Sequence, residues 1–367
     1  MYLITFTSSL LCISAYSRSK NIKHKMFFIS LGILIPSLLA GFRDYSIGYD
    51  VLLYGKPWFE RACEYDSLYL FLQNANEYNI GIGYAFVNYI ISRLSNNPHF
   101  FLFMYELLQL VLLYFAIKPF EDKINITFAF FIYYFSYYNL SLNILRQIMA
   151  ILIIFLSYRF VLNKKLISFL ITILISYSFH STGIVGIALY PIHWFINKKN
   201  FRKPATFLII AGGLLIVFGY RFIFTIFAKY GLLSFERYIH YFEDEDVGGR
   251  YVRLLYWGLI LFFIIWRGKS SIKENKNLYS MEIYLIMSFL FSLLMFFGSS
   301  WIIRVSYYFD IFLVLYMPLL AKNTGFKILG NKYDGYLQVG FLVIFYWLVT
   351  FIIRNGGFTY PYVFMIN

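Results

Sequence analysis

Residues Leu166–Ile196 read LISFLITILISYSFHSTGIVGIALYPIHWFI, 31 residues without a Lys, Arg, Asp or Glu. Lys164-Lys165 precede the run and Lys198-Lys199 follow it. As one helix it would measure about 46 Å, against a bilayer core of about 30 Å. One straight helix would also put one of its basic ends on the outer side, against the positive-inside tendency. A hairpin keeps both lysine pairs in the cytoplasm and places Ser178-Phe179-His180-Ser181 at its outer tip. Each arm has only 14 to 16 residues, so the tip is expected below the headgroups, within protein. His180 there is either a functional group or a hydrogen-bonded tip residue.

The rest of the chain has the same character. Of its 367 residues 60% are hydrophobic, 23% aromatic and 14% charged, with mean hydropathy +0.65. A soluble domain carries about a quarter charged residues, so repeated uncharged runs make this a polytopic, all-α membrane protein. The net charge of +14 lies in loops between apolar runs, which argues against nucleic acid as partner and for the lipid bilayer. Cys12 and Cys63 suggest neither a disulfide framework nor a metal site. Met1–Ser17 lacks a basic start and is expected as a first span, not a cleaved signal. No internal repeat is visible.

The expected spans are Met1–Ser17, Met26–Phe42, Phe100–Ile117, Ile124–Tyr138, Gln147–Leu162, the two hairpin arms, Ala205–Phe227, Leu254–Trp266, Met281–Phe297, Val305–Leu320 and Val339–Ile353. That is about 12 in a single transmembrane domain covering 1–367, with both termini outside. Parity makes Gly81–Ser95 an outer interfacial or re-entrant helix. Arg43–Asn79 and Ala228–Arg253 become external loops (43–79 and 228–253).

This topology separates the cations. The cytoplasmic side holds 16 Lys and 4 Arg, and the outer side and outer half hold 10 Arg and 2 Lys. Lysine suffices as an anchor, whereas the planar guanidinium binds phosphate and carboxylate through two hydrogen bonds. An outer face dominated by arginine suggests an anionic, phosphate-bearing substrate. The alternative is pairing with outer carboxylates such as Asp44 or Asp310.

Several stretches concentrate these groups. Arg146, in Asn143-Ile144-Leu145-Arg146-Gln147, sits at the tip of a second uncharged hairpin. Gly41-Phe42-Arg43-Asp44-Tyr45-Ser46-Ile47-Gly48-Tyr49-Asp50, followed by Tyr54, closes the second span at the membrane surface. Trp301-Ile302-Ile303-Arg304-Val305-Ser306-Tyr307-Tyr308-Phe309-Asp310 opens a late span. Asp310 lies about 9 Å deeper than Arg304 and is a substrate group or an interhelical ion-pair partner. Arg250 and Arg253 return to the membrane edge after the acidic run Glu243–Asp246, itself a solvated loop or a weak divalent-ion candidate. Glu106 is a weaker candidate within its span. No nucleotide-phosphate loop, GxSxG elbow or HExxH is present, which points to an already activated substrate.

In order, G-F-R-D-Y-x-I-G-x-D followed by Tyr54, then N-x-L-R-Q, F-H-x-T and a late R-x-x-Y resemble the EpsG/Wzy group of bacterial polysaccharide polymerases. Tyr360-Pro361-Tyr362 also fits, and the resemblance covers most of the chain. Two departures bear on specificity. Gly48-Tyr49-Asp50 stands where the group often has Gly-Thr-Asp, and Asn79-Ile80-Gly81-Ile82-Gly83 stands where an acidic-Pro feature is usual. The resemblance implies a GT-C-like, metal-independent glycosyltransferase without a cofactor, in the plasma membrane. It would move a glycan from undecaprenyl pyrophosphate onto the next lipid-linked oligosaccharide, for O-antigen, capsule or exopolysaccharide. A flippase and a chain-length regulator of the same pathway are the implied protein partners.

On that reading the catalytic candidates are His180 as base, Arg146 on the pyrophosphate and Asp44 as alternative base. The substrate-binding candidates are Arg43, Asp50, Tyr54, Gln147, Arg250, Arg253, Arg304, Tyr307 and Asp310. A lipid flippase and a membrane O-acyltransferase remain as alternatives. A flippase calls for repeats and a cavity reached from both sides, and an acyltransferase calls for a cytoplasmic donor site.

Overall fold

The computed structural model describes residues 1–198, 203–204, 206–215, 219, 247–271, 276–297, 303–323, 325–328 and 331–365. Among the described residues the chain is helical, as backbone in lipid requires, apart from one antiparallel hairpin, Gly325–Ile328 with Asn331–Asp334. That hairpin falls where the expected topology has a cytoplasmic loop. Four helices among the described residues are long and apolar enough to span a bilayer: Ile22–Gly41, Pro98–Phe120, Leu145–Leu162 and Gly335–Ile353. Ile303–Asp310 and Leu313–Lys322 make a fifth if taken as one span, bent by 47°.

The helices pack into two compact units. One comprises Met1–Phe160, Ile167–Ile184 and Met317–Asn367, the other Val161–Leu166 and Val185–Tyr316. In the first, helix starts follow side-chain capping. Asn97 and Asn125 accept the backbone N–H of His99 and Phe128, at 2.9 and 3.1 Å, and Pro98 occupies a first-turn position that needs no N–H partner. The first helix and the loop after the second both bond the segment 359–363. The Tyr2 hydroxyl donates to the Thr359 carbonyl at 2.6 Å, and Asp44 N–H donates to the Val363 carbonyl at 2.9 Å.

Three expectations change. Arg43–Asn79 is mostly helical: a π-helical turn Val51–Gly55, then Lys56–Glu64 and Leu68–Glu77. Its apolar side chains Val51, Trp58, Phe59, Ala62, Phe71 and Ala75 are buried, so mixed charge concealed an amphipathic pattern. The second hairpin arm is not one α-helix. Ser181–Ala188 is a 3-10 helix leading into the α-helix Leu189–Ile196. The longer rise of the 3-10 stretch makes this arm about 28 Å long, while the first arm, the 14-residue helix Leu166–Phe179, stays at about 21 Å. Third, the apolar run from Ile124 does not stop at Tyr138. It continues through a π-helical turn, Tyr134–Tyr138, and a last α turn, Asn139–Asn143. Gly81–Ser95 contains the 11-residue helix Ile82–Ser92, about 16 Å long and too short to span.

In the second unit Val247–Ser271, Lys276–Phe297 and Ile303–Asp310 pack together. Residues 228–246 of the expected second external loop, including the Glu243–Asp246 run, lie outside the described residues.

Candidate active site

At Ile144 the backbone leaves the helix (φ −86°, ψ 60°) between Asn139–Asn143 and Leu145–Leu162. Arg146 therefore lies in the first turn of a new 18-residue helix. The N–H groups of such a turn lack intrahelical partners and carry the positive end of the helix dipole. The Arg146 guanidinium stacks on the ring of Tyr54, 4.0 Å from its centre, and lies 5.8 Å from that of Tyr84. Tyr84 is fully buried and donates to the Tyr54 carbonyl at 3.1 Å, fixing the platform. Arg146 is half-buried and has no contact ion pair among the described residues.

Gln147 links this turn to the hairpin tip. Its Nε2 is 3.5 Å from Thr182 Oγ1, and Thr182 Oγ1 is 2.7 Å from Nδ1 of His180. The Thr182 backbone N–H also points at Nδ1, at 3.3 Å. Nδ1 is thus the acceptor nitrogen of the ring, and a neutral His180 carries its proton on Nε2. Thr182 is the residue missed in the F-H-x-T run, although its spacing from His180 is that of a local side-chain turn. The tip is held by the short helix Ile82–Ser92. A Cβ at Gly81 would stand 2.4 Å from the Ser178 carbonyl oxygen, and one at Gly83 would stand 2.3 Å from Ser178 Oγ. Only glycine permits that approach.

The loop after the second span closes on the same break. Gly48 has φ +91°, and a Cβ there would meet the Leu142 carbonyl oxygen at 2.3 Å. Asp50 N–H donates to Asn143 Oδ1 at 3.2 Å. Asp44 accepts from the backbone N–H and hydroxyl of Ser46, at 2.9 and 2.7 Å. These Ser46 bonds hold its carboxyl below the usual carboxylate range. That makes Asp44 a turn-forming carboxylate and a weak proton acceptor.

Arg43 is not at the surface, as its position after a span suggests, but 1% exposed. Its Nε and Nη1 have no hydrogen-bond partner among the described residues. Burial works against its charge, and the Glu106 carboxyl is its largest favourable electrostatic neighbour, followed by Tyr138, Tyr2 and Tyr362. The C-terminal segment encloses it: Tyr362 donates to the Leu39 carbonyl at 2.7 Å, and Arg43 pairs by a backbone bridge with Phe364.

The remaining candidates belong to the second unit. Arg253 forms an ion pair with Asp310 and donates to Ser306 Oγ at 2.6 Å and Ser292 Oγ at 3.2 Å. Its guanidinium also lies 4.9 Å from the Tyr307 ring centre. Asp310 is 2% exposed and accepts from Ser288 as well. The interhelical pair weighed for Asp310 is therefore present, with Arg253 as the partner. Arg304 is half-buried at the start of Ile303–Asp310. Arg250 lies on Val247–Ser271, and its side chain lies outside the described residues.

A comparison with protein-family models matches the EpsG family over residues 4–364. The chain belongs to the EpsG family. No curated protein and no solved structure matches it. This EpsG-family protein is thus a helical membrane protein in which the first three motif segments meet at one end of one unit. The sequence alone placed those segments on a common face, and the structure joins them through Tyr54, Gln147 and Thr182.

Proposed function

We propose that this EpsG-family protein polymerises lipid-linked oligosaccharide repeat units at the outer face of the plasma membrane. The donor glycan leaves undecaprenyl pyrophosphate and joins the next lipid-linked unit. About 12 spans, a GT-C-like arrangement, outside termini and metal independence are part of the same proposal. The observation that carries it is the stack of Arg146 on Tyr54 in a first helical turn, tied through Gln147 and Thr182 to His180.

In the reaction the bond from the anomeric carbon to the pyrophosphate oxygen breaks, and a bond to the acceptor hydroxyl oxygen forms. Charge grows on the departing pyrophosphate, and Arg146 with the helix N-terminus stabilises it. The acceptor hydroxyl gives its proton to His180 at Nδ1. The Thr182 hydroxyl, already directed at that atom, is the link through which the proton arrives. Tyr54 positions the guanidinium by stacking, and Asp50 borders the substrate, while Arg43, buried beneath the C-terminal segment, supports the loop that carries Asp50. Arg253 and Asp310 neutralise each other and hold that unit together.

Deletion of the gene tests the reading. Surface glycan reduced to single repeat units supports a polymerase. Complete loss of surface repeats would instead indicate a flippase, and full-length glycan lacking acyl groups an acyltransferase. With purified protein, Arg146→Ala and His180→Ala are expected to stop chain growth from lipid-linked repeats.

A further inference from the structure

We infer that Glu106 and Gln109 are positioning residues that set the helix break presenting Arg146. Both lie on the helix Pro98–Ile117, one turn apart and so on one face. Both are buried, at 2% and 0% exposure, in an otherwise apolar span. Each meets one side of the break at Ile144. Ser141 Oγ, before the break, lies 2.9 and 3.0 Å from the two Glu106 carboxyl oxygens. The Leu145 carbonyl, after the break, accepts from Gln109 Nε2 at 3.1 Å. Arg146 is the next residue.

A break inside an apolar core frees backbone groups that lipid cannot satisfy. Without a brace, its two helical ends would hinge about the one irregular residue. Two bonds from a single rigid helix, straddling that residue, remove the hinge. They fix where the first turn of Leu145–Leu162 points, and with it the guanidinium on Tyr54. Polar residues three apart in a span are the sequence signal for such a brace.

The catalytic part of the test rests on the polymerase reading, and the labelling part does not. A thiol introduced by Arg146→Cys, with Cys12→Ser and Cys63→Ser, is labelled by a charged methanethiosulfonate reagent. Adding Gln109→Leu or Ser141→Ala is expected to change the labelling rate about fivefold or more, because a misplacement of about 1 Å has large effects on local geometry. Glu282→Gln alters a buried carboxyl that accepts from Tyr316 at 3.0 Å in the second unit. It should leave the rate unchanged. In the otherwise native chain, Gln109→Leu should lower kcat about tenfold with little change in acceptor KM, the pattern of an interaction made in the transition state. Glu106→Gln, whose amide oxygen still accepts from Ser141, should retain most activity. Should Gln109→Leu not fold, Ser141→Ala carries both measurements. Unchanged labelling with either variant, or an equal change with Glu282→Gln, overturns the inference. If the native protein does not polymerise repeats at all, the proposed function fails while the labelling result still stands.

Discussion

Each unit contains a break in an apolar helical run with an ionisable group beside it, and the two are finished differently. In the second unit the bend follows Asp310, and Arg253, Ser306 and Ser288 close around its carboxyl. In the first the break at Ile144 precedes Arg146, which rests on an aromatic ring without a contact ion pair. A charge matched by its own protein can hold helices together in lipid. A charge backed by a ring and a helix N-terminus, with no carboxylate in contact, can accept a phosphate. The difference lies in what surrounds each arginine: a buried carboxylate in one unit, an aromatic ring in the other.

The comparison breaks most directly at Arg146. Arg146→Ala is expected to lower polymerisation of lipid-linked repeats by about 100- to 1,000-fold, with the protein still monodisperse by size exclusion. Arg253→Ala should instead cost about 3–5 kcal/mol of stability by leaving Asp310 buried and unpaired, read as a lower thermal midpoint in detergent. Replacing the pair together, Arg253→Met with Asp310→Leu, should recover much of that loss. If the double replacement is stable yet inactive, the pair contacts substrate and the contrast between the units fails.

A smaller effect concerns the hairpin tip. Gly81→Ala would push a methyl group into the Ser178 carbonyl. It should displace His180 and lower the rate about tenfold, with the pyrophosphate affinity of Arg146 preserved in a binding titration. The smallest effect belongs to Asp44. Its carboxyl titrates below the ordinary value because Ser46 bonds its charged form. The stability it contributes is present above the unfolded value of about 3.9 and fades as pH falls through the lower folded value. Asp44→Asn should therefore flatten only the acid limb of an unfolding profile below about pH 4. It should leave the rate between about pH 6 and 8 without a new inflection. A shifted neutral-pH profile would instead make Asp44 the base.

Much of the helical pattern was legible because uncharged runs fenced by lysine have few solutions in a bilayer. On that ground the runs holding Arg146 and His180 are expected to turn back, and the structure has a helix break beside each, at Ile144 and at His180. Arg43–Asn79 was harder, since mixed charge hides short amphipathic helices. The 3-10 stretch Ser181–Ala188 was invisible, because composition does not separate it from an α-helix.

The sequence by itself determined a helical membrane protein and, through four ordered motifs, its family. Hydropathy and charge placement are local properties, and each run reports them without reference to the others. Only the tertiary structure decided that Arg43 is buried near Glu106, that Arg253 pairs with Asp310, and that Arg146 lies on Tyr54. Those outcomes depend on which helices are neighbours and on side-chain reach across them, and no periodicity within a single run encodes either.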